Sequence, residues 1–348
     1  EMHSPFGKDG LAIEATVSVG IARSNAGQHS VSELMRRADI AMYEAKRSGK
    51  NSICWFDGRM EQDLLRRSEL EAAVRNGITN REFVPFFEPV VDMKTGAITG
   101  FEMLARWRNQ NYCDVSPSSF ITIAQDIGII DALTVSIVEK ALIEARDWDA
   151  SLTLSINISP TQLLDEKIAQ LLLKLIATTG FPAQRLEVEV TEGAIFKNVL
   201  LAKTIIRSLK NQGIRVAYDD FGTGYSSLNH LRELPFDRIK IDRSYAGAVL
   251  DDPDCAALVQ AIVSLCSSLR LPVTAEGIEN QAIHDFIMPL GALSGQGWFY
   301  GQPMSAGDTR RLLAERNLLP VSREANRARP VAGPVHGSDF GEGRLAAG

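Results

Sequence analysis

Between about residues 82 and 316, apolar strand-like runs alternate with longer segments of helical periodicity, and this alternation narrows the available folds more than any other feature. Eight runs have strand character: FVPFFEPVVD, AITGFEMLARW, LTLSINIS, RLEVEVTE, IRVAYDD, DRIKID, LPVTAEG and SGQGWFYG. Helices are readable between most of them, at 130–147, 161–179, 199–211, 254–269 and 280–288. Strands that alternate with helices build a parallel sheet, and eight of them fit a (β/α)8 TIM-like barrel better than an open sheet. The first two runs are joined only by Met93-Lys94-Thr95-Gly96, which is too short for a crossover. One antiparallel strand is therefore expected near the start of the barrel.

Ahead of the barrel, residues 11–22 alternate like a strand, 31–48 have helical spacing and 51–57 read as another strand. This small N-terminal α/β remnant, 1–57, is too short for a domain of its own. Leu64, Leu65, Leu70 and Val74 recur among charges from Met60 to Asn76, so 58–81 is expected to be a linker helix and barrel lead-in. The barrel is assigned to 82–320. The segment 321–348 is rich in Gly, Ala, Pro and Arg and is expected to be a disordered tail.

The chain of 348 residues has a net charge of −6, which argues against a general grip on polynucleotides. Cys54, Cys113, Cys255 and Cys266 form no CxxC pair or dense framework, which disfavours disulfides and zinc and favours a reducing, cytoplasmic setting. No apolar run approaches the ~18 residues of a membrane span and the first residues lack a signal-peptide pattern, so no membrane contact is expected of this chain.

The chemistry gathers at the ends of the strand-like runs. In Tyr218-Asp219-Asp220-Phe221-Gly222-Thr223-Gly224-Tyr225-Ser226-Ser227 two adjacent carboxylates close an apolar run, where burial demands a metal or strong donors. The alternative for this segment is an acidic N-cap before a helix starting near Tyr225. Glu102, Asn157, Glu189, Lys240 with Asp242, Glu276 and Gln296 end other runs. Each alone has an ordinary structural account, but in a barrel all converge on one mouth. Oxygen ligands without His or Cys point to two hard ions, Mg²⁺ or Mn²⁺. Four carboxylates and an amide with a nearby lysine suit metal-assisted hydrolysis of a phosphodiester, with Lys240 orienting water and Arg106 holding a phosphate. A glycosidase would need the carboxyl pair but not the Asn, the Lys or this excess of acid.

These motifs resemble the EAL-domain family of cyclic di-GMP phosphodiesterases over about residues 66–316. The signature is Glu102-Met103-Leu104 in GFEMLARW; Asn157 lies in INIS, Glu189 and Glu192 in EVTE, and Asp219 and Asp220 in DDFGTGYSSL. Lys240 and Asp242 match K-I-D, Glu276 and Glu279 match A-E-G-[VI]-E, and Gln296 stands in QGW. The resemblance implies that Glu102, Asn157, Glu189 and Asp219 bind metal, that Asp220 reaches a second ion, and that Lys240 and Glu276 position or activate the attacking water. It further implies that Glu192 braces the loop at 220–227, that Glu279 and Gln296 complete the substrate pocket, and that Arg106 contacts the phosphate or guanine side. The implied reaction opens cyclic di-GMP to linear pGpG, in a homodimer paired through the face carrying that loop. The alternative is a non-catalytic cyclic di-GMP receptor, against which the intact ligand set weighs.

Some positions depart from the family pattern. Glu88 replaces Gln in FFEP and adds a negative charge near an anionic ligand if it faces the pocket. Met103 replaces Ala and is expected to pack in the wall opposite Glu102. Gln125-Asp126 replaces Glu-Glu, and Gln302 stands where Arg is frequent before Pro303. The first 57 residues resemble the C-terminal part of a GGDEF domain in VSVGIA and LMRRADIAMYEAKRSGKNSI. The half that would carry the nucleotide and the GGDEF motif is missing from this sequence, so no cyclase activity is expected. The resemblance implies a piece of a longer GGDEF-EAL sensor with a sensory or membrane-bound upstream region.

Overall fold

The computed structural model describes residues 6–8, 11–13, 16–24, 30–222, 228–292 and 294–320, so the expected disordered tail lies outside the described residues. The single strand expected over 11–22 is divided between two sheets. Strand β1 (Phe6–Lys8) pairs antiparallel with β2 (Leu11–Ile13), whereas β3 (Val19–Ile21) pairs in parallel with β4 (Ile53–Trp55). The partner β4 has only three residues to offer, and pairing stops there. Helix α1 (Val31–Arg47) links β3 to β4; Ser30 caps it by accepting from Glu33 N at 3.2 Å, and Ile40, Ala41 and Ala45 form its buried stripe. Helix α2 (Gly58–Thr79) starts at Asp57, whose carboxylate accepts from Arg59 N, and buries Val74 against the barrel while Leu65 stays exposed.

Each of the eight expected runs then supplies a strand: β5 (Phe83–Asp92), β6 (Ile98–Trp107), β7 (Thr153–Ile158), β8 (Leu186–Thr191), β9 (Arg215–Phe221), β10 (Arg238–Ile241), β11 (Val273–Ala275) and β12 (Ser294–Gln296). Each pairs with the next, and β12 closes the circle on β5. The chain thus forms a closed TIM barrel in which β5 runs antiparallel to both neighbours, as the short β5–β6 connection requires. Asp92 builds that turn by accepting from the N–H groups of Lys94 and Thr95 at 3.1 and 2.8 Å. A short ninth strand, β13 (Met304–Ser305), pairs with Phe86 and Phe87 of β5 outside the eight-stranded closure.

The connecting helices are α3 (Pro117–Asp126), α4 (Ile130–Ala145), α5 (Lys167–Thr179), α6 (Glu192–Lys197), α7 (Val199–Asn211), α8 (Leu228–Glu233), α9 (Arg243–Ala246), α10 (Pro253–Leu269), α11 (Gln281–Ile287) and α12 (Ala306–Glu315). The helix expected over 161–179 is broken into a 3-10 turn, Gln162–Leu164, followed by α5. The side chain of Gln162 explains the break: it is buried, bonding Asp131 and Thr134 through Nε2 and Ser159 N through Oε1.

Strand alternation sorts side chains between two environments. Outward residues such as Phe83, Phe87, Phe101, Leu154, Val188, Val216 and Ile239 are buried beneath the helices, with Trp148 packed edge-on against Phe87 and Phe101 at about 5 Å. Met103 belongs to this outer core. Inward residues are largely polar and form two levels: Ser155, Glu187, Arg238, Thr274 and Ser294 below, and Glu102, Asn157, Glu189, Lys240 and Gln296 above, linked by hydrogen bonds across the lumen. Branched apolar residues fill most such barrels. Here the apolar core surrounds the barrel, and the lumen is a polar shaft that opens on the site.

Candidate functional site

Lys240, on β10, is the hub of the mouth. Its buried ammonium lies 2.7 Å from Glu189 Oε2, 3.1 Å from Glu102 Oε2, 3.6 Å from Asp219 Oδ1 and 2.5 Å from Glu276 Oε1. Asn157 Nδ2 donates to Glu102 Oε1 at 2.6 Å, and Gln296 Nε2 donates to Glu102 Oε2 at 2.7 Å and to Glu88 Oε2 at 3.1 Å. The structure therefore brings together residues from β5 to β12 that are separated by up to 208 positions in sequence.

Asp219 and Asp220 reach the same mouth because β9 is irregular. Ile239 pairs with Tyr218 and Ile241 with Phe221, so β9 carries one more residue than β10 between these pairs. A regular strand would send adjacent side chains to opposite faces, but this bulge, with Asp220 at φ +55°, lets Asp219 approach Lys240 while Asp220 lines the cavity. Both carboxylates lie within β9, so neither is itself a helix N-cap; the helix start considered near Tyr225 lies outside the described residues. Gly222 follows at φ +104°, and its carbonyl accepts from Tyr245 OH at 2.7 Å. Glu192 is buried at the first position of α6; residues 223–227 of the loop it was expected to brace lie outside the described residues.

A cavity of about 590 Å³ opens on this cluster. Glu88, Arg106, Asp220, Glu276, Glu279 and Gln296 line it. Arg106 lies over the Phe86 ring, 5.5 Å from its centroid, and Glu279 is exposed at the rim. Glu88 thus faces the pocket. Sequence reasoning did not assign a role to Arg243 or Trp298, which also line it. Their signal was available: Arg243 follows K-I-D directly, and Trp298 is the aromatic of QGW.

More carboxylates gather here than one ammonium can neutralise, and the acidities divide accordingly. Burial disfavours ionised Glu102, but Lys240, Gln296 and Asn157 outweigh it and hold its pKa low. Burial and then repulsion from Glu102 raise Glu189 well above the carboxylate range, and burial raises Asp219. Burial, opposed by Lys240, lifts Glu276 to about 8; burial and Asp219 lift Asp220 to about 6. Lys240 stays charged because its four carboxylate neighbours outweigh its own burial.

These upward shifts mean that the native chain holds protons which the unfolded chain, with carboxyls near 4.5 and 3.8, releases. Their contribution to stability is present below about pH 4 and is lost as pH rises towards 8. Thermal unfolding in EDTA is expected to show a melting temperature that falls between about pH 5 and 8. A flat or rising profile would overturn this charge assignment.

Comparison with known proteins fits this architecture. Residues 71–303 match the EAL domain family and residues 1–52 match the diguanylate cyclase GGDEF domain. The chain belongs to the EAL domain family and carries a GGDEF fragment at its N-terminus. It is 32% identical over 298 residues to the bifunctional diguanylate cyclase/cyclic di-GMP phosphodiesterase MucR of Pseudomonas aeruginosa, covering 84% of this chain and 44% of that protein. It is 32% identical over 305 residues to the cyclic di-GMP phosphodiesterase PdeR of Escherichia coli, covering 87% and 46%. The PaMucR phosphodiesterase in complex with c-di-GMP superposes with a TM-score of 0.67 at 31% identity, over 69% of this chain and 99% of that one. The chain spans only 37–51% of the length of the first several curated relatives it matches.

Phosphodiesterases of this family are generally dependent on divalent metal. Among the described residues no three carboxylate, His or Cys side chains converge as a metal-binding group; the carboxylates instead gather on Lys240. The donor set nevertheless suits hard cations, being all oxygen, in excess of the available positive charge, and carrying buried acceptors at Asp219 Oδ1 and Glu276 Oε1 without an aligned hydrogen bond. Among the described residues no helix is long and apolar enough to cross a membrane.

Proposed function

We propose that this chain hydrolyses cyclic di-GMP to linear pGpG with two divalent ions, Mg²⁺ or Mn²⁺, as cofactors. The observation that carries the reading is the convergence of Glu102, Asn157, Glu189, Asp219 and Asp220 around Lys240 and Glu276 at the floor of a cavity large enough for a nucleotide. Ions held by those five side chains would supply Lewis-acid polarisation of the phosphoryl group and acidification of water. The protein's own groups then have separate tasks. Glu276, whose carboxylate lines the cavity beside the Lys240 ammonium, takes a proton from the attacking water. Lys240 positions that water and offsets charge on the phosphoryl oxygens. Water adds to phosphorus, the P–O3′ bond breaks and O3′ takes up a proton, leaving a terminal 5′-phosphate. Arg106 and Arg243, which line the same cavity, hold the second phosphate, Trp298 offers a plane to a purine, and Glu279 and Gln296 complete the pocket.

In the same proposal, residues 82–320 are the EAL barrel, 58–81 its lead-in and 1–57 the GGDEF remnant, in a cytoplasmic homodimer with Glu192 supporting the loop after Asp220. Chromatography for pGpG after incubation of cyclic di-GMP with Mg²⁺ or Mn²⁺, against an EDTA control, tests the activity. Nucleotide bound intact in the presence of metal would overturn hydrolysis in favour of a receptor.

Glu88 should oppose the substrate, because its carboxylate shares the Gln296 amide with Glu102 and lines the phosphate-binding cavity. Removing one negative charge there is worth on the order of 1 kcal/mol, so Glu88→Gln is expected to bind cyclic di-GMP roughly fivefold more tightly by calorimetry in EDTA. Unchanged affinity would show that Glu88 does not meet the phosphates.

A further inference from the structure

Below the mouth, a second polar level crosses the barrel lumen. Ser155 Oγ donates to Glu187 Oε1 at 3.2 Å, and Arg238 Nε donates to Glu187 Oε2 at 3.3 Å. Arg238 Nη1 donates to Thr274 Oγ1 at 2.9 Å and to Ser294 Oγ at 3.1 Å. One chain of hydrogen bonds therefore joins β7, β8, β10, β11 and β12. Ser155, Glu187, Thr274 and Ser294 are buried, and only 18% of the Arg238 side chain is exposed.

Each member stands two residues before a mouth residue on its own strand. Ser155 precedes Asn157 and Glu187 precedes Glu189. Arg238 precedes Lys240, Thr274 precedes Glu276, and Ser294 precedes Gln296. Two residues of strand span roughly 6.6 Å of stiff backbone, so a shift in the lower level passes to the upper one with little slack. The need is greatest at β11 and β12, which have three residues each and share only the pairs Thr274–Ser294 and Ala275–Gly295. These two strands, the shortest of the eight in the barrel, position Gln296 at the end of β12 and Glu276 directly after β11. Each pairs fully with its other neighbour, β10 or β5, but their pairing to one another is short, and Arg238 Nη1 bonds both directly.

We propose that Arg238, braced by Glu187, is a positioning residue: it locks β10, β11 and β12 to one another so that Lys240, Glu276 and Gln296 converge on the metal-binding carboxylates. This rests on the hydrolase reading of the mouth. Packing alone does not call for such a pair, because apolar residues fill the equivalent levels of most barrels and often replace a buried ion pair without loss of stability. Directional bonds from one planar cation to three strands fix relative position in a way that apolar contacts do not.

Three variants test it: Arg238→Met, Arg238→Lys and the double variant Arg238→Met with Glu187→Met. Thermal unfolding, Mn²⁺ binding by calorimetry, and kcat and KM for cyclic di-GMP are measured for each. Arg238→Met is expected to bind Mn²⁺ and to turn over about 10- to 100-fold less well, with KM within about twofold. Arg238→Lys should recover part of both. The double variant, which no longer buries an unmatched carboxylate, should regain thermal stability but neither Mn²⁺ affinity nor kcat. If Mn²⁺ affinity returns together with stability, or if Arg238→Met binds Mn²⁺ like the wild type, the positioning role is wrong. A wild type that binds Mn²⁺ without hydrolysing cyclic di-GMP refutes only the hydrolase reading, since the Mn²⁺ titrations still decide the role of Arg238. A wild type that does not bind Mn²⁺ overturns both.

Discussion

Glu189→Ala is expected to lower cyclic di-GMP hydrolysis by about a thousandfold or more while the barrel stays folded, since losing a metal ligand forfeits several kcal/mol of transition-state stabilisation. Glu189 lies on the inner face of β8, 2.7 Å from Lys240, whereas Val188 and Val190 on the outer face hold the core and are untouched. The substitution also removes one carboxylate from a cluster with too many. Because burial and Glu102 already disfavour its ionised form, the metal-free variant should melt no lower than the wild type at about pH 8. Product chromatography with circular dichroism on the same sample checks both halves. Normal turnover would remove the metal assignment, and so would normal turnover by Glu102→Ala.

Lys240→Met should have the largest effect on stability. Among the described residues, Lys240 is the one cation ion-paired with Glu102, Glu189, Asp219 and Glu276. Its loss leaves buried carboxylates without a counter-charge, a change that costs about 3–5 kcal/mol when one partner of a buried pair is removed. The cost should be smaller near pH 5, where Glu276 and Asp220 are protonated, and larger near pH 8, where they ionise. Divalent metal should restore part of the stability, because it supplies the missing positive charge to the same oxygens. Turnover should fall by at least about 100-fold even when metal is saturating. Denaturant titrations at both pH values, with and without Mn²⁺, measure this. A variant equally stable at both would show that Lys240 does not neutralise the cluster.

The eight strands, the antiparallel start and most of the helical segments were legible because each depends on local periodicity or on the length of one connection. The candidate site was legible for a related reason: polar residues at strand ends share one mouth in any parallel barrel. Two local readings failed where partners decided. The pattern at 11–22 does not say that its two ends pair in different sheets. The periodicity over 161–179 does not say that Gln162 turns inward to bond Asp131 and Thr134. Arg243 and Trp298 stand next to recognised motifs, yet their part in the site depends on where the chain turns after β10 and β12.

The sequence by itself determined the parallel barrel with one reversed strand and the acidic character of its mouth, since strand periodicity, loop length and residue chemistry are written in the order of residues. Only the tertiary structure decided that Asp219 and Asp220 share a mouth through a bulge, that Glu88 faces the substrate cavity, and that Arg238 ties three strands beneath Lys240. Those arrangements depend on register between strands and on the side-chain contacts it sets up, and both are properties of residues far apart in sequence.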